Sequence, residues 1–214
     1  VDPYLQTAWT TEKGLPQNSV TAIVRSRDGY LWLSTFGGLA RFDGVRFTIF
    51  NSANTPGLKS NRITALVEDR PGILWLGTET GELMSLQDGV GTTNPLVGAL
   101  EGAIVSSITG DDAGTLWLGT TKGLARFQDG TFTTYTTADG LPSNLIYTGA
   151  LDQAGHLWMM ANRDLVQFDG RRFITYPFRE GLLEGLFTPR RQGGFWVTAT
   201  TGVALCLDGK FVVY

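Results

Sequence analysis

Tryptophan recurs at Trp32, Trp75, Trp117, Trp158 and Trp196, with spacings of 43, 42, 41 and 38 residues. Each stands in the same local sequence. The units read DGYLWLSTFGGLARFDGVRF from Asp28, PGILWLGTETGELMSLQDG from Pro71, AGTLWLGTTKGLARFQDGTF from Ala113, AGHLWMMANRDLVQFDGRRF from Ala154 and GGFWVTATTGVALCLDGKF from Gly193. A sequence that repeats itself at ~40 residues has to be explained by its repeat before anything else, and that length suits a supersecondary unit of four short strands.

Alternation and turn residues divide each unit into strands a to d. Strand a is expected over Val20 to Arg25, Ile63 to Glu68, Val105 to Gly110 and Ile146 to Leu151, and strand b is the LWLGT segment. A turn at Gly38, Gly81 or Gly123 opens strand c, and Asp-Gly at 43–44, 129–130, 169–170 and 208–209 closes it. Both residues of Asp-Gly tolerate the positive φ of tight hairpins. Strand d ends in an aromatic at Phe50, Tyr135, Tyr176 and Tyr214. The 28 glycines among 214 residues, with only 17% charged residues, suit many tight turns. Four short strands cannot cover both of their own faces, so neighbouring units must stack. The expectation is an all-β propeller of about five four-stranded antiparallel blades, with the five tryptophans between blades and serving the shared core.

One domain is expected over 1–214, with units near 15–50, 58–94, 100–135, 141–176 and 182–214, and an extra outer strand over 4–10. Trp9 precedes Leu15 by the same six residues that separate Tyr135 from Leu141. That surplus strand d suggests a segment of a larger propeller of six or more blades, with unpaired edges and an uncovered face that favour self-association. Three units depart from the pattern. Asn94 replaces an aromatic and makes 91–95 a poor strand d, Gly102-Ala103 replaces Pro-x-Asn, and Pro189 falls where the fifth strand a should run. A proline there removes a ladder donor, so a distorted fifth blade is expected.

The repeat resembles that of the two-component regulator propeller family. The motifs that carry the resemblance are Leu15-Pro16-Gln17-Asn18, the run from Asp111 through Leu116-Trp117-Leu118-Gly119-Thr120, Gly38-Leu39-Ala40-Arg41-Phe42-Asp43-Gly44 and Phe132-Thr133-Thr134-Tyr135. In that family such repeats build propellers outside the cytoplasm that precede a membrane helix and a histidine kinase or similar output module. The resemblance implies a sensor domain in the periplasmic or extracellular part of a bacterial membrane receptor.

Composition removes several other classes. A net charge of −3 supplies no basic field for nucleic acid or an anionic membrane surface. No apolar run reaches the roughly 18 residues of a membrane-spanning helix, so no membrane contact by this segment itself is expected. Val1-Asp2-Pro3-Tyr4 starts no leader pattern, so any targeting signal is expected to be absent or already removed. Cys206 alone makes no disulfide, His156 alone makes no histidine cage, and neither a cofactor nor a metal is expected. Asp69, Asp111 and Asp152, and separately Asp43, Asp88, Asp129, Asp169 and Asp208, recur with the unit and read as turn formers. The unmatched acids Glu79, Asp139, Asp164, Glu180 and Glu184 show no pairing that would mark a glycosidase.

Ligand contacts are sought where equivalent positions disagree, at the mouth where the d-to-a and b-to-c loops emerge. The candidates are Asn18, Phe36, Arg62, Glu79, Lys122, Asn162 and Arg163, of which Asn18 recurs as Asn61 and Asn144 and also reads as loop-shaping. Their mixture of donors, acceptors and an aromatic suits a small polar ligand or carbohydrate. The functional expectation is a non-catalytic ligand-sensing module, with a propeller glycoside hydrolase or lyase, or an interaction scaffold exposing Phe36 and Phe178, as the alternatives.

Overall fold

Among the described residues, twenty strands form five antiparallel sheets in strict chain order, each a meander of four. The computed structural model describes residues 7–70, 72–111, 113–152, 154–176, 187–189, 194–199, 202–207 and 210–214. The first sheet holds β1 (Val20–Arg25), β2 (Leu31–Thr35), β3 (Gly38–Phe42) and β4 (Phe47–Phe50). The second holds β5 (Ile63–Arg70), β6 (Ile73–Thr78), β7 (Glu82–Gln87) and β8 (Val90–Pro95), and the third holds β9 (Val105–Gly110), β10 (Leu116–Thr120), β11 (Gly123–Gln128) and β12 (Thr131–Tyr135). The fourth runs through β13 (Ile146–Leu151), β14 (Leu157–Ala161), β15 (Asp164–Phe168) and β16 (Phe173–Tyr176), and the fifth through β17 (Phe187–Pro189), β18 (Phe195–Ala199), β19 (Gly202–Leu207) and β20 (Lys210–Val213). First strands touch in succession, β1 to β5, β5 to β9, β9 to β13 and β13 to β17, which sets them at the hub and makes the sheets blades of a propeller.

Sheets stack through the repeated tryptophan. Trp75 meets Phe127 of the next blade at 5.4 Å between ring centroids, Trp117 meets Phe168 at 5.4 Å, and Trp158 meets Phe195 at 5.0 Å. Trp32 lies in one core cluster with Leu74, Leu76, Met84 and Leu86 of the second blade. Trp196 contacts Tyr214 of its own blade at 5.8 Å. The glycine of LWLGT has a packing cause. A Cβ at Gly77 would lie 2.5 Å from Val105 Cγ1 and 2.9 Å from Val105 Cβ, so only glycine lets β6 come this close to β9. Hydroxyls add polar ties between first strands: Thr21 Oγ1 donates to the Ile63 carbonyl at 2.8 Å and Thr64 Oγ1 to the Val105 carbonyl at 2.6 Å.

Two expectations need correction. Residues 90–95 do form an outer strand despite Asn94, because Pro95 falls at the end of an edge strand where a missing N–H costs little, and the 51–60 loop braces it through Gly91 N–H to the Pro56 carbonyl at 2.8 Å. Residues 7–10 form no strand, and 4–6 lie outside the described residues. Trp9 instead stacks on Phe42 and Phe47 at 4.7 and 5.5 Å, as Tyr135 stacks on Phe168 and Phe173 at 5.5 and 5.6 Å. Trp9 therefore acts as the end of an outer strand without being in one. Ile23 is 61% exposed where its counterpart Leu66 is 7% exposed. In the fifth blade the described part of strand a is β17, whose Pro189 pairs with Phe195 of β18.

The Asp-Gly turns are of two kinds. Asp88-Gly89 and Asp129-Gly130 have both φ values positive and close two-residue hairpins. Asp43 and Asp169 instead begin four-residue turns, in which each carboxylate accepts two backbone N–H groups, from Val45 and Arg46 and from Arg171 and Arg172.

Candidate functional site

The b-to-c turns are held by the threonine of LWLGT. Thr35 Oγ1 donates to the Gly38 carbonyl at 2.8 Å and accepts the Gly37 N–H at 3.0 Å, which fixes the loop that carries Phe36. Thr120 does the same for the loop that carries Lys122, through the Gly123 carbonyl at 2.7 Å and the Lys122 N–H at 3.1 Å. In the fourth blade Asn162 takes a left-handed backbone at φ 56°, and its N–H reaches the Leu145 carbonyl at 2.7 Å.

Three of the seven candidates come together at the junction of the first two blades. The Arg62 guanidinium lies 4.6 Å from the Phe36 ring centroid, and its Nε is ion-paired and hydrogen-bonded to Glu79 Oε2. Backbone bonds hold the frame, with Glu79 N–H on the Arg62 carbonyl at 3.1 Å and Phe36 N–H on Gln17 Oε1 at 3.0 Å. Gln17 is a participant outside the seven candidates; its only sequence signal is the variable position of Leu-Pro-x-Asn. The Arg62 and Glu79 side chains are 52% and 37% exposed, so the pair adds at most about 1 kcal/mol to stability and its consequence is positional. A planar cation, a carboxylate and an aromatic face are presented to solvent side by side.

The other candidates lie apart from this cluster. Asn18 Oδ1 accepts the Thr11 N–H at 2.8 Å, as Asn61 Oδ1 accepts Ser52 and Asn144 Oδ1 accepts Thr137, so that oxygen shapes its own loop. Lys122 Nζ donates to the Glu101 carbonyl at 2.7 Å in the third blade. Asn162 and Arg163 occupy the b-to-c turn of the fourth. Of the unmatched acids, Glu79 is paired with Arg62, Asp139 closes a capping box with Thr136, and Asp164 opens β15 across from Ala161. Phe178, Glu180 and Glu184 lie outside the described residues.

At the opposite end, where the a-to-b and c-to-d turns emerge, Asp152 gathers a second cluster. Its Oδ1 accepts the N–H groups of Ala154 and His156, and its Oδ2 accepts the Trp158 indole N–H at 2.9 Å and lies 3.2 Å from His156 Nδ1. Burial pulls this carboxyl upward, but the Trp158 indole, the His156 backbone and the His156 ring outweigh burial and hold it below its ordinary value. Asp43 and Asp169 are also lowered, by the backbone N–H groups of Arg46 and Val45 and of Arg172 and Arg171. Among the described residues no three His, Cys, Asp or Glu side chains group as metal ligands, and no helix is long and apolar enough to cross a membrane.

Comparison with known proteins agrees with this architecture. Residues 14–37 and 57–80 match the two component regulator propeller family, each segment running from a d-to-a loop through strands a and b. A comparison with curated proteins gives no match. A streptogramin B lyase structure superposes with a TM-score of 0.77 at 20% identity, over 94% of this chain and 70% of that one. The extracellular domain of a putative hybrid two component system from B. thetaiotaomicron superposes with a TM-score of 0.74 at 19% identity, over 91% of this chain and 27% of that one. A catalytically inactive histidine-to-alanine variant of virginiamycin B lyase from Staphylococcus aureus, with quinupristin, gives 0.75 at 14% identity, over 91% and 69%. At these identities the likeness is one of fold, and the chain spans about a quarter of the length of that extracellular domain.

Proposed function

We propose that this chain, built of two component regulator propeller repeats, is a non-catalytic ligand-sensing propeller in the part of a signalling receptor outside the cytoplasm. The observation that carries the reading is the Phe36, Arg62 and Glu79 cluster, which bridges two blades through side chains that do not recur with the repeat. An aromatic face beside a guanidinium and a carboxylate suits a small polar ligand such as a carbohydrate, whose apolar ring face stacks while its hydroxyls bond to charged groups. A ligand held by both blades biases their relative placement, and such a bias is what a sensor transmits. Lys122, Asn162 and Arg163 extend the same rim toward the third and fourth blades.

A lyase reading draws on the two lyase neighbours. The single histidine of this chain, His156, stands in the a-to-b turn of the fourth blade, at the end of the propeller away from the Phe36 cluster. Thermal-shift screening against glycans and small polar metabolites tests the sensor reading. Stabilisation is expected for at least one compound, since a ligand that binds only the folded state raises its stability by mass action. Phe36→Ala and Arg62→Ala should abolish that shift. A hit insensitive to both variants, or turnover of quinupristin that His156→Ala removes, would reject it.

A further inference from the structure

The repeat places an arginine against the blade tryptophan in the first and third blades, while Ser85, Gln167 and Leu205 hold that position in the second, fourth and fifth. Trp32 pairs across the ladder with Arg41, Trp117 with Arg126 and Trp158 with Gln167. In the first blade the Arg41 guanidinium sits 4.6 Å from the Tyr30 ring centroid, 5.7 Å from Trp32 and 5.9 Å from Phe50, and in the third blade Arg126 sits 5.8 Å from Trp117. A cation over aromatic faces is attracted by the ring quadrupoles. The fourth blade keeps the rings without the guanidinium. His156, Trp158 and Tyr176 stand in the places of Tyr30, Trp32 and Phe50, and the Trp158 to Tyr176 distance of 5.2 Å repeats the Trp32 to Phe50 distance of 5.2 Å. Gln167, where the arginine would be, accepts the Tyr176 hydroxyl at 3.1 Å.

Space and charge agree with this substitution. A cleft of about 320 Å³ opens between the fourth and fifth blades, bounded by Asp152, His156, Trp158, Gln167, Tyr176 and Phe195. Its volume falls at the lower end of small-molecule sites, about 300–1,000 Å³. Asp152, which recurs as Asp69 and Asp111 and stands where the first blade has Ser26, is bonded here to the Trp158 indole N–H. Aromatic rings with an anion at their edge, and Gln167 in the place of the arginine, border this cleft at the end of the propeller away from Phe36.

We propose that the cleft between the fourth and fifth blades is a binding site for a small organic cation, a guanidinium or alkylammonium group that takes the place Arg41 holds in the first blade. The cation lies over the Trp158 and Tyr176 rings, with Asp152 supplying the countercharge. The site is independent of the Phe36 cluster and does not rest on the sensor reading.

Titration of the whole chain with ethylguanidinium and with choline, followed through the Trp158 indole N–H resonance, tests the site. Loss of one indole signal in Trp158→Phe assigns the resonance. A saturable shift is expected for both cations and none for 3,3-dimethylbutanol, the neutral shape-match of choline. Asp152→Asn should weaken binding by up to about fivefold, the worth of a partly exposed ion pair. Gln167→Arg should abolish the shift while circular dichroism stays unchanged, because the blade then carries its own guanidinium as two others do. Equal binding of the neutral alcohol, or unaltered binding in both Gln167→Arg and Asp152→Asn, would overturn the proposal. Arg190 and Arg191 lie outside the described residues, and their double replacement by alanine should leave affinity within about twofold. Binding that tightens about tenfold on that replacement would mean that the chain's own arginine fills the cleft, and would also overturn it.

Discussion

Trp117 of the third blade and Phe168 of the fourth meet edge to face, with ring centroids 5.4 Å apart and planes at 63°. Trp117 is 9% exposed, so truncation leaves a cavity between two sheets. Trp117→Ala should cost about 3–5 kcal/mol in denaturant unfolding. A double-mutant cycle with Phe168→Leu should return a coupling of about 0.5–1.5 kcal/mol, and a coupling near zero would mean that the ring pair is area burial alone.

Gly77 faces Val105 across the second and third blades, where an added Cβ would lie 2.5 Å from Val105 Cγ1 and 3.2 Å from Ala65 Cβ. Gly77→Ala should destabilise by about 1–3 kcal/mol, although alanine usually suits a regular strand better than glycine. Val105→Ala in the same chain should recover part of the loss by removing the obstructing methyls. A neutral Gly77→Ala would show that β6 and β9 can part without cost.

Thr64 Oγ1 donates to the Val105 carbonyl at 2.6 Å, tying neighbouring first strands. Thr64→Val keeps the shape and removes the donor, so unfolding in denaturant should show a loss of about 1–2 kcal/mol. Thr64→Ser keeps the donor and should retain most of the stability, and a loss in Thr64→Ser with none in Thr64→Val would assign the effect to the methyl group.

Asp152 is held below its ordinary value of 3.8. A lowered carboxyl contributes stability that is present above the unfolded value and is lost as pH falls through the folded one. Wild type should therefore melt higher than Asp152→Asn at pH 5–7, and the difference should shrink as pH falls from about 4 toward 2. A difference that widens in acid would mean that the carboxyl is raised in the folded state instead.

The blade is legible in the amino-acid order alone. A tryptophan every 38 to 43 residues, alternating strands and Asp-Gly turns each act within one unit, so local propensity and period suffice to read them. Phe36, Arg62 and Glu79 are likewise assigned to one rim, because loops that join the same strand ends must emerge on the same side. Which rim residues touch is a matter of tertiary structure. Phe36 and Glu79 are separated by a whole unit, and only the stacking of two blades brings Arg62 between them. Tertiary structure also decided that a strand could run through Asn94, with a brace from Pro56 to Gly91, and that Trp9 could act as the end of an outer strand while in none. The exchange of Arg41 for Gln167 is visible in the aligned units, yet its consequence needed the packed blades. An arginine, or its loss, matters through the rings and carboxylate around it, and their positions depend on two sheets packing together rather than on the order of residues in one.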